Sequence, residues 1–136
     1  MGAMSDRPLH QRPRYLALVF AGGALGTLVR WALAIALPSG WPVATLFVNV
    51  TGAFALGWLL EALALRNEDD DPTHGVRLFF GTGVLGGYTT YSAFAVDTDL
   101  LGITWPSLLY VVATIVLGAA ASLAGIAIAA RIGRRA

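Results

Sequence analysis

Residues 81–94 read GTGVLGGYTTYSAF. The stretch lies inside an apolar segment long enough to cross a membrane, yet it holds four glycines, three threonines, a serine and three aromatic residues. A helix that only faces lipid gains nothing from that mixture. Adjacent Gly86 and Gly87, followed by Thr89, Thr90 and Ser92, predict a helix broken partway, near 86–90. The backbone groups freed there need protein, water or a bound ion to satisfy them.

Working outward, the 136-residue chain is 57% hydrophobic and 12% charged, the balance of an integral membrane protein. Four apolar segments are expected to span: 15–37, 43–65, 77–101 with the break, and 107–130, together one membrane domain over residues 1–136. A run of 23 residues makes a helix of about 35 Å, enough for a hydrocarbon core of about 30 Å. Pro38, Ser39, Gly40, Trp41 and Pro42 read as a tight turn, and Gly102, Trp105 and Pro106 as a second one that mirrors it. The segment from Arg66 to Gly75, with Glu68, Asp69, Asp70 and Asp71, reads as a solvated loop. Residues 1–14 read as a polar tail.

Four spans put both termini on one side. Arg7, Arg12, Arg14, Arg66, Arg77, Arg131, Arg134 and Arg135 all fall on that side, and the two opposite turns carry no arginine. Cytoplasmic loops hold the excess of Lys and Arg, so both termini are expected in the cytoplasm.

Polar residues within the spans are the candidate working parts. Thr45 and Asn49 are four apart and share a helix face, with Gly52 three further on; a packing seam and a pore-lining face are both open readings. Thr114, Gly118 and Ser122 form a similar stripe, read in favour of packing. Arg30 is the one cation inside a span, suited either to snorkelling or to an electropositive vestibule. Where the first half-helix ends, free carbonyls suit a cation; where the second begins, free N–H groups, the hydroxyls of Thr89, Thr90 and Ser92 and the ring edges of Tyr91 and Phe94 suit an anion. The chain has no cysteine, no nucleotide-binding loop, no cluster of metal-ligating side chains and no nucleophile paired with a base, so an enzyme and a nucleic-acid binder are both set aside.

At this point the residues resemble the Fluc (CrcB) family of fluoride channels. GGALGTLVRW at 22–31 is similar to that family's first-span segment of three spaced glycines, an arginine and an aromatic. TLFVNVTG at 45–52 is similar to its T-L-x-V-N-x-x-G, and GVLGGYTTYSAF at 83–94 to its G-x-x-G-G-x-T-T-F-S-T-F. The resemblance covers essentially all four spans. It implies an all-α protein packing as an antiparallel, inverted dimer in the bacterial plasma (inner) membrane, with fluoride pathways and a central structural Na⁺. The channel would let cytoplasmic fluoride leave the cell passively and so reduce its toxicity. By motif position the backbone carbonyls of Gly86 and Thr89 would supply this chain's half of the Na⁺ site. Asn49, Thr45, Ser92 and Thr114 would line the fluoride pathway with Tyr91 and Phe94, and Arg30 would sit in the vestibule.

Three positions depart from the family pattern: Tyr91 stands for phenylalanine, Ala93 for threonine and Asp97 for glutamate. The Tyr91 hydroxyl needs a partner in a narrow path and is expected to alter the pathway it lines. A homodimer of inverted copies calls for little arginine asymmetry. The strong asymmetry here favours a homologous partner chain of opposite orientation over an identical one. Two other readings stay open: a non-conducting structural partner in such a dimer, and a small multidrug-type proton-coupled exporter, which would need a carboxylate in the first span where this chain has Arg30.

Overall fold

The computed structural model of the chain describes residues 12–38, 40–66 and 71–134. Most of the expected polar tail, Ser39 of the first turn and Glu68, Asp69 and Asp70 of the expected loop lie outside the described residues. Five helical segments follow in order: α1 (Pro13–Ala36), α2 (Val43–Ala64), a composite α3 (71–88), α4 (Tyr91–Leu101) and α5 (Trp105–Gly133). α1, α2 and α5 are each long and apolar enough to cross a membrane. The expected span 77–101 is instead divided into α3 and α4, neither of which crosses as one unbroken helix.

Local chemistry explains the ends. Pro13 opens α1 and Pro106 falls in the first turn of α5, positions where a missing N–H costs nothing. Thr104 caps α5 by accepting from the Ser107 N–H at 3.4 Å. Gly102, between α4 and α5, has φ of 65°, a left-handed conformation that glycine adopts without strain.

α3 corrects the reading of 66–75 as loop throughout. Helix already runs over Asp71–Val76, with Pro72 again in the first turn. It widens to π-type turns over Arg77–Leu85 and returns to α over Gly86–Tyr88. Widened turns of this kind frequently mark functional sites, and they shift side chains out of the 3.6-residue register.

Two glycine seams organise the packing. In α1, Gly22 and Gly26 abut the carbonyls of Phe79 and Val84; in α3, Gly87 abuts the carbonyl of Gly23. A Cβ at Gly83 would stand 2.9 Å from the Val19 carbonyl oxygen. Each helix thus contributes a pair of glycines four apart, and their backbones approach as closely as helices can. The second seam joins α2 to α5, where Gly57 abuts Ser122 and Gly125 abuts Phe54. The expected stripe on α5 is therefore divided: Ser122 packs, whereas a side chain at Gly118 would meet nothing within 4 Å.

The α2/α5 pair is parallel along its length. At one end the Trp41 indole donates to the Pro106 carbonyl at 3.3 Å and its ring meets Tyr110 edge-on at 5.6 Å. At the other end Gly133 lies against Leu65, which gathers Arg66, Arg131 and Arg134 at that end. The buried core is thin, built on Tyr15, Val48, Tyr110 and Ala129, while Phe20, Trp31, Leu100 and Trp105 are all exposed. An apolar exterior around so small an interior suits lipid and a partner chain better than water.

Candidate functional site

The break between α3 and α4 is two residues long. Thr89 (φ −76°, ψ 159°) and Thr90 (φ −151°, ψ 126°) are extended, whereas Gly86 is helical (φ −64°, ψ −37°). The adjacent glycines are therefore not the break itself. Gly87 lets α3 approach α1, and the chain leaves the helix at the threonines that follow.

One side chain accounts for most of the backbone freed there. The Asn49 amide donates from Nδ2 to the Thr90 carbonyl at 3.0 Å, and its Oδ1 accepts from the Thr90 N–H at 2.8 Å. This two-point clamp imitates the pairing of two strands and holds Thr90 extended against α2. The carboxamide has two N–H groups, so one remains for another acceptor. Thr90 then caps α4, its Oγ1 accepting from the Ala93 N–H at 3.1 Å. Thr89 turns its hydroxyl back to the Leu85 carbonyl at 2.9 Å.

Arg30 serves the end of the first half-helix. Its Nε donates to the Gly87 carbonyl at 3.1 Å. The guanidinium turns towards the break, where its charge complements the negative end of the α3 dipole. Among the described residues, the hydrogen bonds at the break engage the carbonyls of Leu85, Gly87 and Thr90, and those of Gly86 and Thr89 take no part.

The expected site residues fall into two spaces on either side of Thr90. An open groove of about 410 Å³ brings together Asn49, Thr89, Tyr91, Phe94 and Thr114, with Ile115 at its edge. A smaller cavity of about 60 Å³ holds Arg30 and Thr45, with Val48, Ala93 and Thr90 in its wall. Thr45 and Asn49 share a helix face as expected, yet the Thr90 peptide clamped on Asn49 separates them. Ser92 stands exposed, its Oγ 3.2 Å from Thr90 Oγ1.

Each groove residue has a defined capacity. Tyr91 is 81% exposed and its ring lies 6.1 Å from that of Phe94. Thr114 spends its hydroxyl proton on the Tyr110 carbonyl at 2.8 Å, so it offers the groove a methyl group and lone pairs, not a donor. The donors in the groove are the second Asn49 N–H and the positive ring edges of Tyr91 and Phe94, while Ser92 lies exposed outside its lining.

Tyr110 is a participant that the sequence reading missed. It is fully buried, its ring 5.4 Å from Phe94, and its hydroxyl donates to Asp97 Oδ2 at 3.4 Å. It therefore backs Phe94 from behind the groove. The only signal in the sequence was its place four residues before Thr114, one turn away on the same face.

Comparison with known proteins gives consistent matches. The family described as "CrcB-like protein, Camphor Resistance (CrcB)" matches residues 17–126. A protein of Leifsonia xyli subsp. xyli named "Fluoride-specific ion channel FluC 2" is 54% identical over 140 residues, covering 99% of this chain and 97% of that protein. "Fluoride-specific ion channel FluC 1" of Cutibacterium acnes is 49% identical over 98 residues, covering 70% of this chain and 68% of that protein. "Fluoride-specific ion channel FluC" of Rhizobium meliloti is 44% identical over 122 residues, covering 84% of this chain and 94% of that protein.

Proposed function

Because the chain belongs to the CrcB-like family, we propose that it is a subunit of a fluoride-specific ion channel, and not an enzyme, with the groove at the α3/α4 break as part of the conduction path. The observation that carries this reading is the Asn49 clamp on Thr90, which holds a broken helix open beside a groove lined by Asn49, Tyr91, Phe94 and Thr114. Fluoride is small and strongly hydrated, so a path must replace its water with donors at short range. The second Asn49 N–H and the two ring edges supply donors in the groove, and Arg30 lowers the cost of bringing an anion to the smaller cavity. Flow is passive and outward, down the gradient of cytoplasmic fluoride.

In the membrane α3 and α4 together make the remaining span, giving four in a multi-pass protein of the bacterial inner membrane. The shared end of Arg66, Arg131 and Arg134 faces the cytoplasm with both termini. The site is completed by an inverted second subunit. The arginine asymmetry favours a homologous chain of opposite orientation, and an identical chain is the other possibility.

A Na⁺ ion fits the carbonyls of Gly86 and Thr89. Both lie outside the hydrogen bonds of the break, and a Cβ added at Gly86 would meet nothing within 4 Å beyond its own turn of helix. Two carbonyl oxygens from each of two subunits are hard donors suited to such a cation. When bound, Na⁺ would supply a fixed positive charge joining the two subunits. The roles of this chain's own residues are to aim the carbonyls and to keep Arg30 on Gly87.

The test is efflux from vesicles containing the purified chain, alone or co-expressed with a related chain of opposite arginine bias, read with a fluoride electrode. Fluoride efflux with chloride excluded is expected from the pair. Equal passage of chloride and fluoride, or none from either preparation, would refute the reading.

A further inference from the structure

Tyr88 is the last helical residue before the break, between the two residues whose carbonyls are assigned to Na⁺ and to Arg30. Its hydroxyl lies 2.9 Å from Thr51 Oγ1 on α2. Thr51 has one proton and directs it to the Phe47 carbonyl at 2.7 Å, one turn back along α2. Tyr88 is therefore the donor and Thr51 the acceptor. Beside this bond, Gly52 receives both the Tyr88 ring and the Thr89 methyl group: a Cβ there would lie 3.2 Å from Tyr88 Cδ1 and collide with Thr89 Cγ2.

We infer that the Tyr88–Thr51 hydrogen bond is a positioning device, which braces the end of α3 on α2 and so sets the aim of the Gly86 and Thr89 carbonyls. Asn49 fixes the far side of the break through Thr90, and Arg30 fixes Gly87 from α1. Without a third point the peptide at 88–89 could rotate about the line joining those two. The Tyr88 hydroxyl supplies that point by docking on Thr51, which stands two residues from Asn49 on α2.

The inference rests on the Na⁺ reading above, and the direction of the proton makes it specific. Replacing Tyr88 by Phe removes a donor and leaves Thr51 satisfied by Phe47. Replacing Thr51 by Val removes the acceptor and strands a phenol against α2, which costs more than losing the pair together.

The readout is thermal denaturation of the purified channel over a range of NaCl concentrations, with N-methylglucamine chloride keeping ionic strength constant. The Na⁺ concentration giving half the stabilisation is expected to rise about fivefold in Tyr88→Phe and further in Thr51→Val. The double variant is expected to return to the Tyr88→Phe value, and Thr51→Ser, which keeps the acceptor, to match the parent. A lock that only stabilises the fold would lower every melting point and leave the Na⁺ midpoint in place. Midpoints within twofold of the parent in both single variants, or a double variant worse than Thr51→Val, overturn the inference while leaving the Na⁺ site standing. A parent channel with no response to Na⁺ removes both.

Discussion

Replacing Asn49 by Ala separates a residue that builds the pathway from one that only lines it. The side chain makes two hydrogen bonds to a single peptide residue, at 3.0 and 2.8 Å, and both partners are backbone groups with no helical alternative. Leaving a buried donor or acceptor unsatisfied costs about 1–3 kcal/mol each. Asn49 and Thr90 are half-buried, and the groove beside them is open, so water recovers part of this. A net loss of about 2–3 kcal/mol is the reasonable sum, together with loss of fluoride efflux because Thr90 no longer holds its extended form. Unfolding in a denaturing detergent reads the first quantity and vesicle efflux the second. If efflux vanished while the unfolding free energy stayed within about 0.5 kcal/mol, Asn49 would be a ligand of the ion without being the clamp of the break. Asn49→Asp sharpens the test. It keeps the acceptor for the Thr90 N–H but sets a carboxylate oxygen against the Thr90 carbonyl, and a negative charge in an anion's path should stop efflux even where folding survives.

Gly87→Ala should prevent α1 and α3 from closing, since the new methyl group meets the Gly23 carbonyl; overpacking of this kind costs about 1–3 kcal/mol, readable as lost monodispersity on size exclusion. Gly118→Ala is its control within this chain and should leave the subunit fold unchanged, because nothing lies within 4 Å. Arg30→Gln removes the charge-assisted bond to Gly87, worth about 1.5–3 kcal/mol, and should slow efflux at least tenfold; an unchanged rate would remove Arg30 from the pathway. Tyr91→Phe should keep stability within about 0.5 kcal/mol, given that the ring is exposed, and should not slow efflux; a slower channel would show that the phenol takes part in conduction.

The unbroken helices were legible because length, apolar composition and proline positions all agree at their ends. α1 and α2 fall within two residues of the expected spans, and α5 extends the last by a few residues at each end. The break was legible in its existence and nearly in its place, since hydroxyl residues in an apolar run have few other uses. Its cause was not. Glycine is the usual signal of an interrupted helix, but Gly86 and Gly87 remain helical, and the chain turns extended at Thr89 and Thr90 because α2 presents Asn49 to them. That is a contact between residues 41 positions apart, and no local pattern encodes it. The same long-range contact explains why Thr45 and Asn49, rightly placed on one face, open into different spaces. The early start of α3 was missed because four charges in a row outweighed the proline that follows them. The π-type turns after it were missed because a 3.6-residue template cannot register them.

The partition between the 410 Å³ groove and the 60 Å³ cavity is one residue thick, since Thr90 borders both. Thr90 is held by α2 through the Asn49 carboxamide and by α4 through its cap on the Ala93 N–H, so the residue that divides the two spaces is also the one that joins the two helices.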